Sequence, residues 1–352
     1  MNPAPKHTRV ATIGAFGHWG CVLDEIATVN GIEVIAAACA LPGESVDRVV
    51  AHPGVSKSVN VFDDYRLMLK SVRPDVVVVS CRLDRIPVIA LDAANAGCDI
   101  ICEKPLALDT PALEKLYRGL SNHGTRLMAM LSMRADPVFQ KARELYQSGA
   151  IGEVTVVNAQ KSYKYGDREE WFGVRDTYGG TMLWVGIHAL DMIHFTTGQA
   201  FTSVAAFQRN FAHPSRPDCE DYVAAILGLE NGGAATVSID LFRPEAAATH
   251  GDDWIRIVGT EGILEARSND RVIRLLRENA DAQTIAVDTA RPIYTPFLSG
   301  VTGDDESLMR PEDPFLLTHA CLCARDAADA GVVEQIPAMP WSRNASVQAR
   351  SS

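Results

Sequence analysis

The first third of the chain alternates short apolar runs with amphipathic stretches. The apolar runs predict strands, which are residues 9–13, 33–39, 59–62, 75–80, 99–102 and 127–131. The amphipathic stretches predict helices, which are residues 21–29, 46–51, 64–69, 87–96 and a further helix that opens with Thr110 as its N-cap and Pro111 in its first turn. Regular alternation of strand and helix is typical of an α/β domain with a parallel, doubly wound sheet. We expect such a sheet over about residues 7–131.

The pattern changes after residue 131, where strands outnumber helices. Helices are predicted at residues 137–148, 181–196 and 315–330. Strand-like runs occupy residues 154–162, 204–209, 222–229, 234–240, 254–258, 263–266, 272–275 and 284–287. Asn231-Gly232, between two of these runs, is a hairpin signal. This part therefore predicts a large, mostly antiparallel open sheet, with a long loop at residues 289–312 and a loosely ordered tail after Pro337.

Composition limits the class of protein and its partners. The 352 residues are 47% hydrophobic and 22% charged, as in a soluble protein of about two domains. The net charge of −11 and the lack of a basic block exclude nucleic acid and anionic membrane surfaces as expected partners. No apolar run reaches the length of a membrane helix and no signal peptide is evident. Eight cysteines without metal-ligand spacing predict no metal site and a reduced, cytoplasmic protein.

A glycine turn, Gly14-x-x-Gly17-x-x-Gly20, follows the first predicted strand. Between a strand and a helix, such a turn lets backbone N–H groups and the helix dipole face a pyrophosphate, which indicates dinucleotide binding rather than a plain structural turn. The predicted contacts in the turn are Gly14, Phe16, Gly17, His18 and Trp19.

The second predicted strand ends at Ala40, which we expect to contact the cofactor as well. A carboxylate at this point would bind the ribose of NAD, and an arginine would bind the 2′-phosphate of NADP. Neither stands there, because Glu44 and Arg48 lie farther along the chain. NAD and NADP therefore both remain open.

The motif Glu103-Lys104-Pro105 directly follows the apolar run at residues 98–102. It stands at the carboxyl end of a buried strand, where an open parallel sheet binds its ligand. We expect Lys104 to donate hydrogen bonds to a substrate oxygen beside the nicotinamide, with a surface salt bridge as the alternative interpretation. The bond before Pro105 is a candidate for the cis form. The remaining predicted cofactor contacts are Ser80, Cys81, Glu103 and Lys104 itself.

Three side chains in the helix predicted at residues 181–196 carry further chemistry. Trp184, His188 and Asp191 are spaced i, i+4 and i+7, which places them on one face of an α-helix. Histidine is the ordinary side chain for moving a proton near neutral pH. The alternative interpretation is that Trp184 and His188 are packing residues and Asp191 is a solvated charge.

Taken together, these features resemble the Gfo/Idh/MocA family of NAD(P)-dependent oxidoreductases. The matching segments, in chain order, are the glycine turn, Glu103-Lys104-Pro105-Leu-Ala, Arg134-Ala-Asp-Pro137, Gly149-Ala-Ile-Gly152-Glu-Val, and Gly179-Gly180 leading to His188 and Asp191. The resemblance implies an NAD(P)-binding Rossmann domain at residues 1–131. It also implies a substrate-binding and oligomerisation α/β domain at residues 132–352, whose open sheet makes a homodimer or homotetramer.

The family's reaction would be hydride transfer between a bound nicotinamide, NAD or NADP, and a CH–OH or C=O carbon of a sugar, glycoside or cyclic polyol. Lys104 matches the active-site lysine and His188 the catalytic histidine. The family's aspartate four residues before the histidine is Trp184 here, and the proline and histidine of the loop after the fourth strand align with Arg82 and Ile86. The predicted substrate contacts are Tyr163, Tyr165, Arg175, Asp176, Trp184 and Asp191.

Two other functions remain open at this stage. Some relatives retain NAD, oxidise a glycoside transiently and then reduce it, so that the net reaction is that of a lyase, hydrolase or epimerase. The change to Trp184 favours keeping this alternative. The second is a non-catalytic sensor of cofactor or sugar, against which the presence of both Lys104 and His188 argues.

Overall fold

The computed structural model describes residues 7–287, 289–300 and 308–340. These residues form two compact units. The first unit contains the described residues up to Ser132 together with those of Pro292–Phe315, and the second contains Met133–Arg291 together with the described residues from Leu316 onward. The C-terminal part of the predicted second domain is thus divided between the two units.

A six-stranded parallel sheet forms the first unit. Its strands are β1 (Thr8–Ile13), β2 (Ile32–Ala38), β3 (Asn60–Phe62), β4 (Val76–Val79), β5 (Asp99–Cys102) and β6 (Leu127–Ala129). The order β3-β2-β1-β4-β5-β6 is that of the doubly wound Rossmann fold and confirms the predicted class. The four valines of β4 are fully buried, as a central parallel strand requires.

The helices of this unit lie close to their predicted positions, except for α9 (Thr295–Leu298), which falls in the predicted loop at residues 289–312. They are α1 (Trp19–Ile26), α2 (Asp47–Val50), α3 (Tyr65–Val72), α4 (Ile86–Asn95), α5 (Thr110–His123) and the short α9 (Thr295–Leu298). One predicted cap is wrong by a residue. Asp109, not Thr110, is the N-cap of α5, because its carboxylate accepts a hydrogen bond from the N–H of Ala112.

The return of Pro292–Phe315 to the first unit was missed by the prediction of a long loop in the second domain. Glu25, near the end of α1, explains part of this placement. Its carboxylate accepts hydrogen bonds of 2.8–2.9 Å from the backbone N–H groups of Ile293, Tyr294 and Thr295, and one of 3.0 Å from the Thr295 hydroxyl. Four hydrogen bonds to one carboxylate hold the start of α9 against α1, and no local pattern announces such a contact.

A nine-stranded sheet dominates the second unit. Its strands are β7 (Val154–Tyr163), β8 (Phe201–Arg209), β9 (Tyr222–Leu229), β10 (Ala234–Asp240), β11 (Gly251–Gly259), β12 (Gly262–Arg267), β13 (Val272–Arg277), β14 (Ala280–Ala286) and β15 (Val333–Gln335). In the order β14-β13-β12-β11-β7-β10-β9-β8-β15, every neighbouring pair is antiparallel except β7 and β10. This confirms the predicted open, mostly antiparallel sheet, although the edge strand β15 was not predicted.

Helices cover one face of this sheet. They are α6 (Pro137–Gln147) and α8 (Ile187–Thr197), with the short α7 (Arg175–Tyr178) beside them in the chain. The last helix, α10 (Asp313–Ala330), contains the point at which the chain passes from the first unit to the second. No helix in the described part of the chain is long and apolar enough to cross a membrane. Most of the predicted loose tail, residues 341–352, lies outside the described residues, as does residues 301–307 of the predicted loop.

Candidate functional site

The glycine turn between β1 and α1 is held against the ends of the neighbouring strands. Gly14 donates its N–H to the carbonyl of Ala38 at 2.8 Å, and Phe16 donates to the carbonyl of Ser80 at 2.9 Å. Gly14 and Gly17 both have a φ of +78°, in the left-handed region that favours glycine. A Cβ on Gly14 would overlap the Ser80 carbonyl, and one on Gly17 would overlap the carboxylate of Glu103.

Gly20 is different from the other two glycines of the motif. It lies inside α1, its φ is not positive, and a Cβ built on it would meet no other atom within 4 Å. Only the first two glycines are therefore demanded by the fold itself.

Glu103 connects the end of β5 to this turn. The side chain is 0% exposed, and its carboxylate accepts hydrogen bonds from the N–H of His18 at 2.6 Å and from the N–H of Lys104 at 2.9 Å. His18 Nδ1 lies 3.0 Å from both carboxylate oxygens. Burial by itself would raise the pKa of Glu103, but the charge and hydrogen bonds of His18 and the charge of Lys104 outweigh it and lower the pKa. Glu103 is thus an ionised anchor of the turn.

Lys104 follows Glu103 and is 1% exposed. The peptide bond between Lys104 and Pro105 is cis, as the sequence suggested. A buried lysine is unusual, because its charge must be compensated by nearby groups. The ionised Glu103 beside it supplies part of that compensation. The alternative of a surface salt bridge is therefore wrong, because the lysine is not at the surface.

The features of the first unit fit a bound dinucleotide. The turn has two positions where a side chain is excluded, and it leads directly into α1, whose first-turn N–H groups have no side-chain cap from His18. Such a backbone surface is suited to a pyrophosphate. Trp19, the first residue of α1, is buried and donates from Nε1 to the carbonyl of Ala15 at 3.0 Å, which fixes its ring beside the turn. Phe16 and His18 are half-buried in the same turn.

The ends of β2 and β4 lie on either side of the turn. Ala40 is buried, and its Cβ is 3.3 Å from the position that a Cβ on Gly14 would take. Ser80 and Cys81 are also buried. The Ser80 hydroxyl points to the sulfur of Met130 at 3.6 Å, so the backbone of Ser80 rather than its side chain contacts the turn. Burial raises the pKa of the Cys81 thiol well above its ordinary value.

In the second unit, His188 and Asp191 are both buried and lie one turn apart on α8. Trp184 precedes them in a π-helical stretch, Met182–Gly186. The prediction of one continuous α-helix over residues 181–196 is therefore wrong at Trp184, since a π turn has i→i+5 hydrogen bonds. His188 and Asp191 keep the three-residue spacing of neighbours on a helix surface.

Asp191 forms a buried ion pair with Arg134. The guanidinium donates to Oδ1 of Asp191 from Nε at 2.8 Å and from Nη2 at 2.6 Å. Arg134 also lies over the ring of Phe195, with its Cζ 5.1 Å from the centroid. The alternative of a solvated charge at Asp191 is wrong, because both members of the pair are about 1% exposed or less.

Tyr163 lies beside a second buried ion pair that the sequence analysis did not single out. Lys161 Nζ donates to Oδ2 of Asp253 at 2.6 Å and is 4.6 Å from the centre of the Tyr163 ring. Burial raises the pKa of Tyr163, and the charge of Asp253 adds to this effect while that of Lys161 opposes it. One signal in the sequence could have revealed Lys161, because it shares the strand face of the buried residues Val157 and Ala159.

Other predicted substrate contacts have structural partners. Tyr165 stacks on His213 with ring centroids 3.5 Å apart, and burial raises the pKa of Tyr165 to about 12. Arg175 bonds to Glu220 at 2.6 Å, and its Nη1 donates to the carbonyl of Gly179 at 3.2 Å. Asp176 is exposed in the first turn of α7. The role of these three side chains as substrate contacts stays a prediction.

No group of three His, Cys, Asp or Glu side chains within residues 7–287, 289–300 and 308–340 could hold a metal ion.

Two family models match the chain. Residues 9–131 match a model described as oxidoreductase family, NAD-binding Rossmann fold, and residues 139–265 match the GFO/IDH/MocA C-terminal domain. The chain belongs to the Gfo/Idh/MocA family.

Curated relatives of this Gfo/Idh/MocA protein include dehydrogenases. Inositol 2-dehydrogenase of Rhizobium meliloti is 28% identical over 213 residues, which are 60% of this chain and 62% of that protein. D-glucoside 3-dehydrogenase of Escherichia coli is 29% identical over 251 residues, which are 64% of this chain and 68% of that protein. The chain thus spans slightly less than two thirds of the length of the inositol dehydrogenase.

Solved structures of the Gfo/Idh/MocA fold cover nearly the whole chain. A structure of an oxidoreductase from Thermotoga maritima is 31% identical, with a TM-score of 0.86 over 93% of this chain and 99% of that chain. Levoglucosan dehydrogenase in complex with NADH has a TM-score of 0.79 over 94% of this chain and 100% of that chain, at 17% identity. The second likeness concerns the fold alone.

Trp184 is the main departure of this Gfo/Idh/MocA chain from the pattern that its sequence resembles. Its side chain is partly exposed and meets Phe172 edge to face, with ring centroids 6.3 Å apart. An indole can donate one hydrogen bond but cannot accept one as a carboxylate does. A carboxylate does occur farther along the chain, at Asp191 of α8, and Arg134 donates two hydrogen bonds to its Oδ1.

Proposed function

We propose that the protein is an NAD(P)-dependent oxidoreductase that acts on a CH–OH or C=O carbon of a sugar, glycoside or cyclic polyol. The observation that carries this proposal is the buried Glu103-Lys104 pair, in which Glu103 is bonded to the glycine turn. This arrangement ties the lysine to the cofactor loop. The inositol and glucoside dehydrogenases among its relatives support the substrate class.

The bound nicotinamide would accept or supply the hydride at its reactive carbon. Gly14, Gly17 and the start of α1 would bind the pyrophosphate through backbone N–H groups. Ala40, Ser80 and Cys81 would line the strand ends beside them. Glu103 holds the turn in place through His18.

In the proposed reaction, His188 accepts the proton of the substrate hydroxyl as general base, and in the reverse direction it returns that proton. The family's pattern gives Lys104 the role of a hydrogen-bond donor that stabilises the negative charge developing on a substrate oxygen. The proton leaves the oxygen and the hydride leaves the carbon of the same alcohol. Loss of both converts the alcohol to a ketone or aldehyde.

Substrate recognition would involve Trp184, Tyr163 and Asp191. The partly exposed indole of Trp184 offers an apolar face for a sugar ring. Arg134 fixes the position of the carboxylate of Asp191, a predicted substrate contact. Tyr165, Arg175 and Asp176 remain proposed substrate contacts, with Tyr165 stacked on His213 and Arg175 paired with Glu220.

The proposed function is tested by screening inositols, sugars and glycosides with NAD and with NADP. Formation of reduced nicotinamide is followed by absorbance at 340 nm, together with mass spectrometry of any nucleotide that co-purifies. We expect turnover with at least one cyclic polyol or glycoside. Failure to bind either dinucleotide would overturn the proposal.

A second candidate function is processing of a glycoside by transient oxidation with a retained cofactor. It is favoured by Trp184, which replaces a carboxylate of the usual proton relay. Purified protein that carries bound nicotinamide and cleaves or epimerises a glycoside without added cofactor would support it. Release of the cofactor on dilution would count against it.

We also propose that the outer face of the nine-stranded sheet joins copies of this chain into a homodimer or homotetramer. Phe207, Ile226 and Val333 are 71%, 60% and 70% exposed, and strand pairing brings them to one face around Ala205. Light scattering should show an oligomer that Phe207→Glu weakens and that Leu67→Glu, on α3, leaves intact. A monomer at high concentration would contradict this assignment.

The eight cysteines, all of them described, form no disulfide, and a reducing cytoplasm is the location we infer.

A further inference from the structure

The loop after β2 folds back on the end of its own strand. Glu44 accepts hydrogen bonds at Oε2 from the N–H of Ala40 and from the N–H of Leu41, both at 3.0 Å. The thiol of Cys39 donates to the Glu44 carbonyl at 3.2 Å, and Gly43 makes the reversal with a φ of +84°. A carboxylate therefore stands at the end of β2, four residues later in the chain than the usual place.

The position of this carboxylate is beside the cofactor turn. The Cβ of Ala40 lies 3.3 Å from the position that a Cβ on Gly14 would take. In a doubly wound sheet, the end of the second strand is where the adenosine ribose lies. The charge of Glu44 is also felt at the end of β4, where it adds to burial in raising the pKa of Cys81.

The two N–H groups that Glu44 occupies would otherwise be free to bind an anion. Consecutive backbone N–H groups in a turn form a favourable position for a phosphate. In this chain the carboxylate already fills it. A 2′-phosphate arriving at the same place would meet a negative charge and would have no N–H donors left to accept from.

The two nearby arginines are held elsewhere, although the charge of Glu44 contributes, after the hydrogen bond and charge of Asp84, to raising the pKa of Arg82. Arg82 is bonded through Nε and Nη2 to the two carboxylate oxygens of Asp84, at 2.6 and 3.0 Å. Arg48 is exposed on α2 and its Cζ lies 5.9 Å from the centre of the Trp19 ring. Neither arginine pairs with Glu44 among the described contacts.

We propose that Glu44 makes the cofactor site selective for NAD over NADP, by accepting a hydrogen bond from the adenosine ribose and by occupying the backbone position that a 2′-phosphate would need. The inference rests on the proposed dinucleotide site. Glu44 lies outside the position at the end of the second strand where the ribose-binding acid of a dinucleotide site is normally found.

The test compares two adenosine nucleotides that differ only in the group concerned, 5′-AMP and 2′,5′-ADP, together with NADH and NADPH. Dissociation constants are measured by calorimetry for the wild-type chain, for Glu44→Gln and for Glu33→Gln. Glu33 is an exposed residue of β2, so its substitution also removes one negative charge but does not touch Ala40 or Leu41. Circular dichroism melting checks that each variant is folded.

We expect the wild-type chain to bind NADH at least tenfold more tightly than NADPH. Glu44→Gln should reduce this ratio at least fivefold, mainly through tighter binding of NADPH and of 2′,5′-ADP, whereas Glu33→Gln should leave it unchanged. Glu44→Ser, which removes both the charge and the acceptor that fills the two N–H groups, should act in the same direction if Glu44→Gln does not fold.

Equal binding of NADH and NADPH by the wild-type chain, or an unchanged ratio in both Glu44 variants, would overturn the role of Glu44 and leave the oxidoreductase proposal standing. Lack of binding of every one of the four nucleotides would overturn both proposals.

Discussion

Arg134 donates two hydrogen bonds to a single carboxylate oxygen of Asp191, and neither side chain is exposed to solvent. This pair holds α8 to the chain segment that precedes α6. A buried ion pair contributes little net stability, because both charges lose their hydration, but removal of one partner leaves the other charge buried and uncompensated. The pair therefore specifies how Asp191 is oriented more than it stabilises the fold.

Substitution of one member of this pair should be severe, and substitution of both should be less so. We expect Arg134→Met or Asp191→Asn to lower the free energy of unfolding by about 3–5 kcal/mol, and the double variant to recover part of that loss. Urea unfolding of the four proteins gives the coupling energy. Arg66→Met is the control, since Arg66 pairs with Asp92 on the surface at 2.9 Å and should cost at most about 1 kcal/mol. A double variant whose loss equals the sum of the two single losses would contradict the interpretation.

The glycine turn predicts opposite outcomes for two alanine substitutions three residues apart. Gly17→Ala forces a side chain into a positive φ and against Glu103, and we expect it to cost about 1–3 kcal/mol and to weaken dinucleotide binding. Gly20→Ala fills open space inside α1 and should stabilise the protein by about 0.5–1 kcal/mol. Thermal unfolding with and without NADH measures both effects. Equal stability of the two variants would show that the turn does not require Gly17.

The anchoring of the turn by Glu103 should depend on pH. Its pKa in the folded protein is below the ordinary value of 4.5, so the stability that its ionised form contributes is complete above pH 4.5 and is lost as the pH falls through the folded value. At neutral pH, Glu103→Gln should lower the free energy of unfolding by about 1.5–3 kcal/mol, as loss of hydrogen bonds to a charged group does. The difference from the wild-type chain should shrink in acid.

Glu220 provides a comparison of opposite sign. Burial raises its pKa, although Arg175 opposes this effect, so its contribution to stability is lost as the pH rises through the folded value. Measured against Glu220→Gln, the wild-type chain should therefore gain relative stability as the pH falls. If the differences for Glu103 and Glu220 follow pH in the same direction, the assignment of the two carboxylates is wrong.

The proposed catalytic residues should affect turnover more than binding. At saturating cofactor, we expect Lys104→Ala and His188→Asn each to lower kcat by about 10²–10⁴-fold, because a positioned donor and a general base act on the transition state. NADH affinity, measured by fluorescence, should change far less than kcat. Lys70→Ala, an exposed lysine of α3 in the same unit, is the control. Full turnover of the Lys104 variant would remove that residue from the mechanism.

Local sequence patterns were sufficient for most of the secondary structure and for the elements of the cofactor loop. The valine run of β4, the glycine turn before α1 and the Glu103-Lys104-Pro105 motif after β5 are each visible within a few residues of chain. The π turn around Trp184 is not, because i→i+4 and i→i+5 hydrogen bonding are compatible with the same run of apolar residues.

The sequence by itself determined the two kinds of sheet and the place of Lys104 at a buried strand end, because the burial and periodicity of a strand are visible in the types of its neighbouring residues. Only the tertiary structure decided that Asp191 is bound by Arg134, that Glu25 holds the start of α9, and that Glu44 returns to the end of β2. In each case a carboxylate accepts hydrogen bonds from donors that lie far along the chain or that a loop brings back to it. Its partners depend on which groups folding brings within hydrogen-bonding distance, and the order of residues along the chain does not encode this locally.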